Sequence, residues 1–572
     1  MAPSRIVWLG VLGVVAGLAS TTPIRADTYP RQPGVDAQHY VFRLAVSDAS
    51  PEIEGDATVI LRLTRDDVRD VVLDLTSAHD GRAMSVTSVS RDGARVTFVH
   101  EHNQLTLPIG APASAGQLVS FTIQYHGIPA APAGSQPATS RENPGLRIVP
   151  NKYGEWSAFS ENWPNRARQW LPMIDHPYDK ATSEFLITAP AKYQVVANGL
   201  LQETIDLGDG RRLTHWKQSV PIASWLNAVG IEQFAVHHAG MVKGVELTTW
   251  VPHQDDQAGR TYFEGPAREA LEFYSDYVGP YAYEKLANVA AAGLNGGTEH
   301  ASSIFYGETG IRSDPATGVV RPATGLVYHE VAHQWFGDSV TEKDWDDVWL
   351  SEGFATYFTL LCTEHWAGRD AFVAGLVSSR QRIFGLEHQN PGMAVIHNNL
   401  ADMSLVLNQI VYQKGGWTLH MLRGLVGADT FHAAIREYYR RYRDGNASTL
   451  DLQHVFEEVS GRPLGWFFDQ WLRRPGSPAI SGSWRYDAAA KQIELALDQT
   501  QSGQPYRVSM DVGISVDGAA LRVETVDMTQ AHQTWRLASD KPPAAVTLDP
   551  NTRLLFEAGA FAARGHAPMP RR

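Results

Sequence analysis

The stretch Val327-Tyr328-His329-Glu330-Val331-Ala332-His333-Gln334-Trp335 decides how the middle of this chain is read. If it is helical, His329 and His333 stand at i and i+4 and project from one face. Both imidazoles can then reach a single ion at about 2.0–2.1 Å. Glu330, beside the first of them, can face a water instead of the metal. The string is short, and taken alone it would also suit a solvated helix face. Eighteen residues separate His333 from Glu352, which lies in Trp349-Leu350-Ser351-Glu352-Gly353-Phe354 at the opening of a second apolar helical stretch running to about Trp366. A helix, a return loop and a second helix would bring that carboxylate to the two imidazoles. Two histidines and one glutamate leave the fourth position of a tetrahedral zinc open, the mark of a catalytic rather than a structural site. Manganese or cobalt would accept the same ligands less typically.

Outward from this core, periodicity divides the chain. Before about Gly240 the dominant period is two. Val119, Phe121, Ile123 and Tyr125 alternate with polar residues, and Val59, Leu61 and Leu63 do so less cleanly. Turn clusters such as Arg91-Asp92-Gly93 and Gly208-Asp209-Gly210 punctuate the strands, and the Pro/Ala/Ser/Gly-rich stretch from Gly127 to Gly145 reads as a long loop. From Gly265 to Tyr277 and from Val411 to Leu425 apolar residues recur at helical spacing. After Pro478 alternation returns, in Ile493, Leu495 and Leu497 and in Val508, Met510, Val512, Ile514 and Val516. The expected organisation is a multidomain α+β chain. It comprises a leader (1–26), an all-β domain (27–240), a mainly helical catalytic domain (241–478), a small β-sandwich (479–564) and a disordered tail (565–572).

Composition narrows the function. The 572 residues carry a net charge of −13, which disfavours nucleic-acid or anionic-membrane binding. A single cysteine, Cys362, excludes intrachain disulfides and Cys-type zinc or iron–sulfur centres, and its apolar neighbours mark an inert core thiol. Arg5, the apolar run Ile6 to Ala19 and Ile24-Arg25-Ala26 read as a signal peptide cut after Ala26, too short for a membrane span. No cysteine follows that run, so a lipoprotein anchor is excluded. The expectation is export to a bacterial periplasm or medium, without stable membrane insertion. No G-x-S-x-G elbow and no Gly-rich phosphate loop are present.

The chain resembles the gluzincin aminopeptidases of peptidase family M1. The resemblance rests on H-E-x-x-H, the eighteen-residue gap and the W-L-x-E-G-F-A string around Glu352. It extends to Gly296-Gly297-Thr298-Glu299-His300, which is similar to the family's G-x-M-E-N segment, and to Tyr412-Gln413-Lys414-Gly415-Gly416. Trp466-Phe467-Phe468-Asp469-Gln470-Trp471 with Gly476-Ser477-Pro478, and Arg168-Gln169-Trp170-Leu171-Pro172 with Asp175-His176-Pro177 and Lys180-Ala181-Thr182, match further family strings. Two departures stand out. Thr298 and His300 replace the Met and Asn, and only about ninety strand-patterned residues follow Pro478, where many relatives have a large helical domain.

The resemblance implies a thermolysin-like catalytic domain holding one zinc ion through His329, His333 and Glu352, and removal of the first residue from peptides with a free N-terminus. Glu330 would serve as general base, and Tyr412 would stabilise the tetrahedral intermediate. Glu299 would pair with the peptide ammonium, with Glu161 as a second amine anchor, and Gly296 and Gly297 would let the substrate backbone approach. Because the family's Met lies near the first substrate side chain, Thr298 leaves side-chain preference open. Asp346 or Asp347 could orient an imidazole or be a solvated loop carboxylate. The remaining histidines, including His237-His238, read as surface or capping residues. Competing expectations are a zinc endopeptidase in which Glu299 anchors no amine, a catalytically silent peptide-binding relative and, more distantly, a lipid-epoxide hydrolase.

Overall fold

The computed structural model describes residues 27–110, 113–133, 144–396, 403 and 406–564. The expected leader (1–26) and tail (565–572) lie outside them, as does 134–143 of the expected loop.

The first part is built on an eight-stranded sheet, in which Val35–Ala45 pairs in parallel with Lys180–Pro190 and antiparallel with Ile53–Leu63. Along Leu118–Ile128, Val119, Phe121, Ile123 and Tyr125 are the buried set, so the period of two reads out as one core-facing side. A smaller sheet includes Leu146–Pro150 paired antiparallel with Trp156–Ser160. It abuts the catalytic part through Phe159, whose ring meets Phe305 edge-on at 5.6 Å.

The helical part differs from expectation in one respect. A five-stranded mixed sheet underlies it, running Phe234–Val242, Val245–Pro252, Lys285–Ala291, Ser303–Gly307 and Gly297–Thr298. The expected boundary at 240 therefore falls inside a strand. Lys285–Ala291 is buried at every position, so its sequence carries no alternation to betray it. Among the described residues, seven helices of ten or more residues follow or flank this sheet: α1 (Asp256–Tyr277), α2 (Thr324–His333), α3 (Trp349–Ala367), α4 (Arg369–Gln389), α5 (Gln409–Val426), α6 (Ala428–Tyr442) and α7 (Thr449–Ser460). Helices α3 and α5 cross almost backbone to backbone: a Cβ on Gly353 would come within 3.0 Å of Gly415 Cα. Both family strings thus carry glycine where two helices touch, and the crossing brings Tyr412 over Glu352.

Among the described residues from Ala479 onward, seven strands form a four-stranded and a three-stranded sheet. Lys414, buried on α5, donates to Glu387 Oε1 (2.9 Å) on α4 and to Gly476 O (2.6 Å), fixing the link to this last part. Cys362 is buried in the core, where burial pushes its thiol up and keeps it inert. Among the described residues no helix is long and apolar enough to cross a membrane.

Candidate active site

The side chains of His329, His333 and Glu352 converge. His333 Nε2 lies 3.1 Å from His329 Nε2 and 3.3 Å from Glu352 Oε2, and His329 Nε2 lies 3.2 Å from the same oxygen. Ligands 2.0–2.1 Å from a tetrahedral ion sit about 3.3–3.4 Å apart, so the three atoms fit one zinc. The tautomer also fits. His333 Nδ1 is 3.2 Å from Phe336 O and 3.0 Å from Ser351 Oγ, so an Nδ1–H donated to the carbonyl leaves Nε2 free to ligate. Asp347 is engaged elsewhere, accepting from Thr449 Oγ1 at 2.6 Å. Sequence reasoning missed Ser351, and Gly337 at the return loop, where a side chain would overlap the Ser351 hydroxyl.

Glu330 and Glu299 form the second half of the cluster, with ligating atoms within 4.8 Å of each other and of His333. Glu299 is held from outside its own segment. Gln334, one residue beyond α2, donates through Nε2 to Glu299 O (2.9 Å) and to Asp338 Oδ2 (2.7 Å), and accepts from Ser302 N (2.9 Å). Gln334 carries no sequence signal except its place after the second histidine.

Gly296 has φ of +80° with open space around its Cα. Gly297 is different, because a Cβ there would overlap the Glu330 carboxylate. Its missing side chain therefore makes room for Glu330, a role the sequence did not suggest. Gly297→Ala is expected to displace that carboxylate and cut kcat at least about tenfold, with zinc content unchanged by metal analysis. Wild-type turnover in this variant would mean that Glu330 has another productive rotamer.

Tyr412 enters from α5, whose N-terminus is capped by Asn408. Its ring stacks on His329 at 6.0 Å, and burial, helped by the Glu352 charge, pushes its hydroxyl well above the usual range. Glu161 follows the strand Trp156–Ser160, where Oε2 pairs with Arg166 Nη1 at 3.3 Å and Oε1 accepts from Trp163 N at 3.2 Å. Its charge is felt at Glu299. Arg168 and Lys180 are structural. Arg168 binds Asp175 (2.9 Å), while Lys180 Nζ reaches Asp338 O and Ser339 O (both 2.9 Å) beyond α2. His237 and His238 pair with Glu264 and Glu246.

Electrostatics follow from burial. It pushes Glu299 up to about 7 against the opposing pull of His333, and raises Glu330 further with help from Glu299. Burial also works to raise Glu352, but His333 and His329 overcome it and hold that carboxyl at about 2. One carboxylate is thus fixed as a charged ligand while its neighbours are poised to exchange protons.

Two imidazoles and one charged carboxylate, with further carboxyl groups beside them, are a donor set that could hold a zinc ion. The chain belongs to peptidase family M1: the Peptidase M1 N-terminal domain matches residues 36–226 and the Peptidase family M1 domain residues 264–471. It is 29% identical to glutamyl aminopeptidase of Sus scrofa over 57% of this chain and 35% of that protein. It is 28% identical to tricorn protease-interacting factor F2 of Thermoplasma acidophilum over 55% and 41% respectively. The chain thus spans about a third of the length of the first curated relatives it matches. An M1 zinc metallopeptidase from Deinococcus radiodurans superposes with a TM-score of 0.66 at 25% identity, covering 78% of this chain and 95% of that one. A mutant of that enzyme bound to a Tyr-Ser-Ala substrate gives 0.65 at 26%, covering 77% and 94%.

Proposed function

We propose that this chain is a zinc-dependent aminopeptidase that hydrolyses the first peptide bond of substrates with a free N-terminus, and that it is exported by its leader. The observation that carries the reading is Glu299. Gln334 holds the main-chain carbonyl of Glu299, and the Glu299 carboxylate, close to His333 of the His329/His333/Glu352 triad, can pair with an α-ammonium and stop the peptide one residue past the metal. Relatives named as aminopeptidases, and a neighbour bound to a tripeptide, support it.

Bound at the triad, zinc supplies Lewis-acid polarisation and lowers the pKa of a water toward about 7. The protein groups do the rest. Glu330 takes the proton of the attacking water and delivers it to the leaving amine. The Tyr412 hydroxyl donates to the carbonyl oxygen as charge develops there. Glu299, assisted by Glu161, holds the ammonium.

The test is turnover of aminoacyl anilides beside their N-acetylated forms, with Glu299→Ala as control. Cleavage of free-amine substrates only, lost in the variant, is expected. Cleavage of blocked peptides at internal bonds would overturn the reading in favour of an endopeptidase, and tight peptide binding without turnover would mark a silent relative. Tyr412→Phe should lower kcat by about 10²–10³ while leaving the unfolding midpoint unchanged. A KM effect alone would make Tyr412 a packing residue.

A further inference from the structure

Arg147 is used by nothing described so far. It lies opposite Phe159 in the small sheet of the first domain, and its Nη1 donates to Gly293 O at 2.7 Å, three residues before Gly296. Its Nε and Nη2 are buried and bond to no protein atom among the described residues. At 3% exposure it lies as deep as Glu330 (4%) and Glu299 (6%). Glu161 and Arg166 act on its charge, and Arg147 in turn acts on His300, the neighbour of Glu299. His300 packs its ring on Phe305 at 4.8 Å, and both its nitrogens are also buried without partners. Unspent donors on a buried cation are costly, and a guanidinium fork is matched by a carboxylate. The ring of His300 adds a neutral polar wall, because burial and Arg147 press its pKa down to about 3.

Building on the aminopeptidase reading, we infer that Arg147 selects the first substrate residue, and that this residue is acidic. With the ammonium held by Glu161 and Glu299, an aspartate or glutamate side chain carries its carboxylate one or two methylenes beyond the same carbon. That carboxylate would take Nε and Nη2 together. The amide of glutamine or asparagine offers one acceptor and no charge.

The experiment compares kcat/KM for Glu, Gln, Asp and Asn anilides on zinc-loaded wild type, Arg147→Lys and Arg147→Met. It is paired with calorimetric binding of L-glutamate and L-glutamine, which needs no turnover. Wild type should favour Glu over Gln by at least about tenfold, Arg147→Lys should keep part of that ratio, and Arg147→Met should bring it near one. A wild-type ratio near one, in turnover or binding, would overturn the inference. So would an equal loss on all four substrates in Arg147→Met, which would mean that Arg147 merely holds Gly293. Should Arg147→Met fail to fold, the wild-type and Arg147→Lys ratios decide. Preferential glutamate binding with no turnover of any free-amine anilide would sink the aminopeptidase reading while sustaining Arg147 as an acid-selecting group.

Discussion

Replacing Glu330 by glutamine is expected to lower kcat by about 10²–10⁴ and leave zinc bound. The isosteric amide keeps the volume that Gly297 makes available, so packing is preserved and only proton transfer is removed. The metal stays because Glu330 does not belong to the His329/His333/Glu352 group. Steady-state kinetics on an aminoacyl anilide, with metal analysis of the same sample, checks both halves. Activity within tenfold of wild type would remove Glu330 from the proton path. Loss of zinc together with activity would show that it supports the metal instead.

Chelation carries the second large effect. In the apoprotein, turnover should vanish, and the unfolding free energy should fall by about 2.7 kcal/mol relative to protein in hundredfold excess of free zinc over its Kd. Zinc binding should also release protons. Burial by itself would lower the His333 pKa, but Glu299, Glu352 and Glu330 together drive it well above its usual value. Zinc binding should therefore displace protons from this cluster, and apparent affinity should fall on acidification. Titration calorimetry in buffers of different ionisation enthalpy reads the release directly, with net proton release expected. A binding enthalpy independent of buffer would mean that His333 is already neutral and that the surrounding carboxylates hold the protons.

How much of this was readable from the chain depends on how local each interaction is. The His329/His333 pair follows from the helical period alone. Glu352 follows from that period and one return loop, since helix α3 begins at Trp349. The strands of the first part were legible where one face is buried and the other is not, as in Leu118–Ile128. The sheet beneath the zinc helix was not, because Lys285–Ala291 and Ser303–Gly307 are buried throughout and their sequences resemble any apolar segment.

By itself, then, the sequence singled out the candidate metal ligands and Glu330 beside them, and the order of the parts, all through short-range spacing and resemblance. Only the tertiary structure decided what Gly297, Gly353, Gln334 and Ser351 pack against or hold, and where Arg147 lies. Gly353 is a glycine because another helix passes there, and Gly297 because the Glu330 carboxylate occupies that space. Arg147 meets the loop carrying Glu299 across 146 residues of sequence, through its bond to Gly293. No local periodicity records such a contact, because its cause is the packing of one sheet against another.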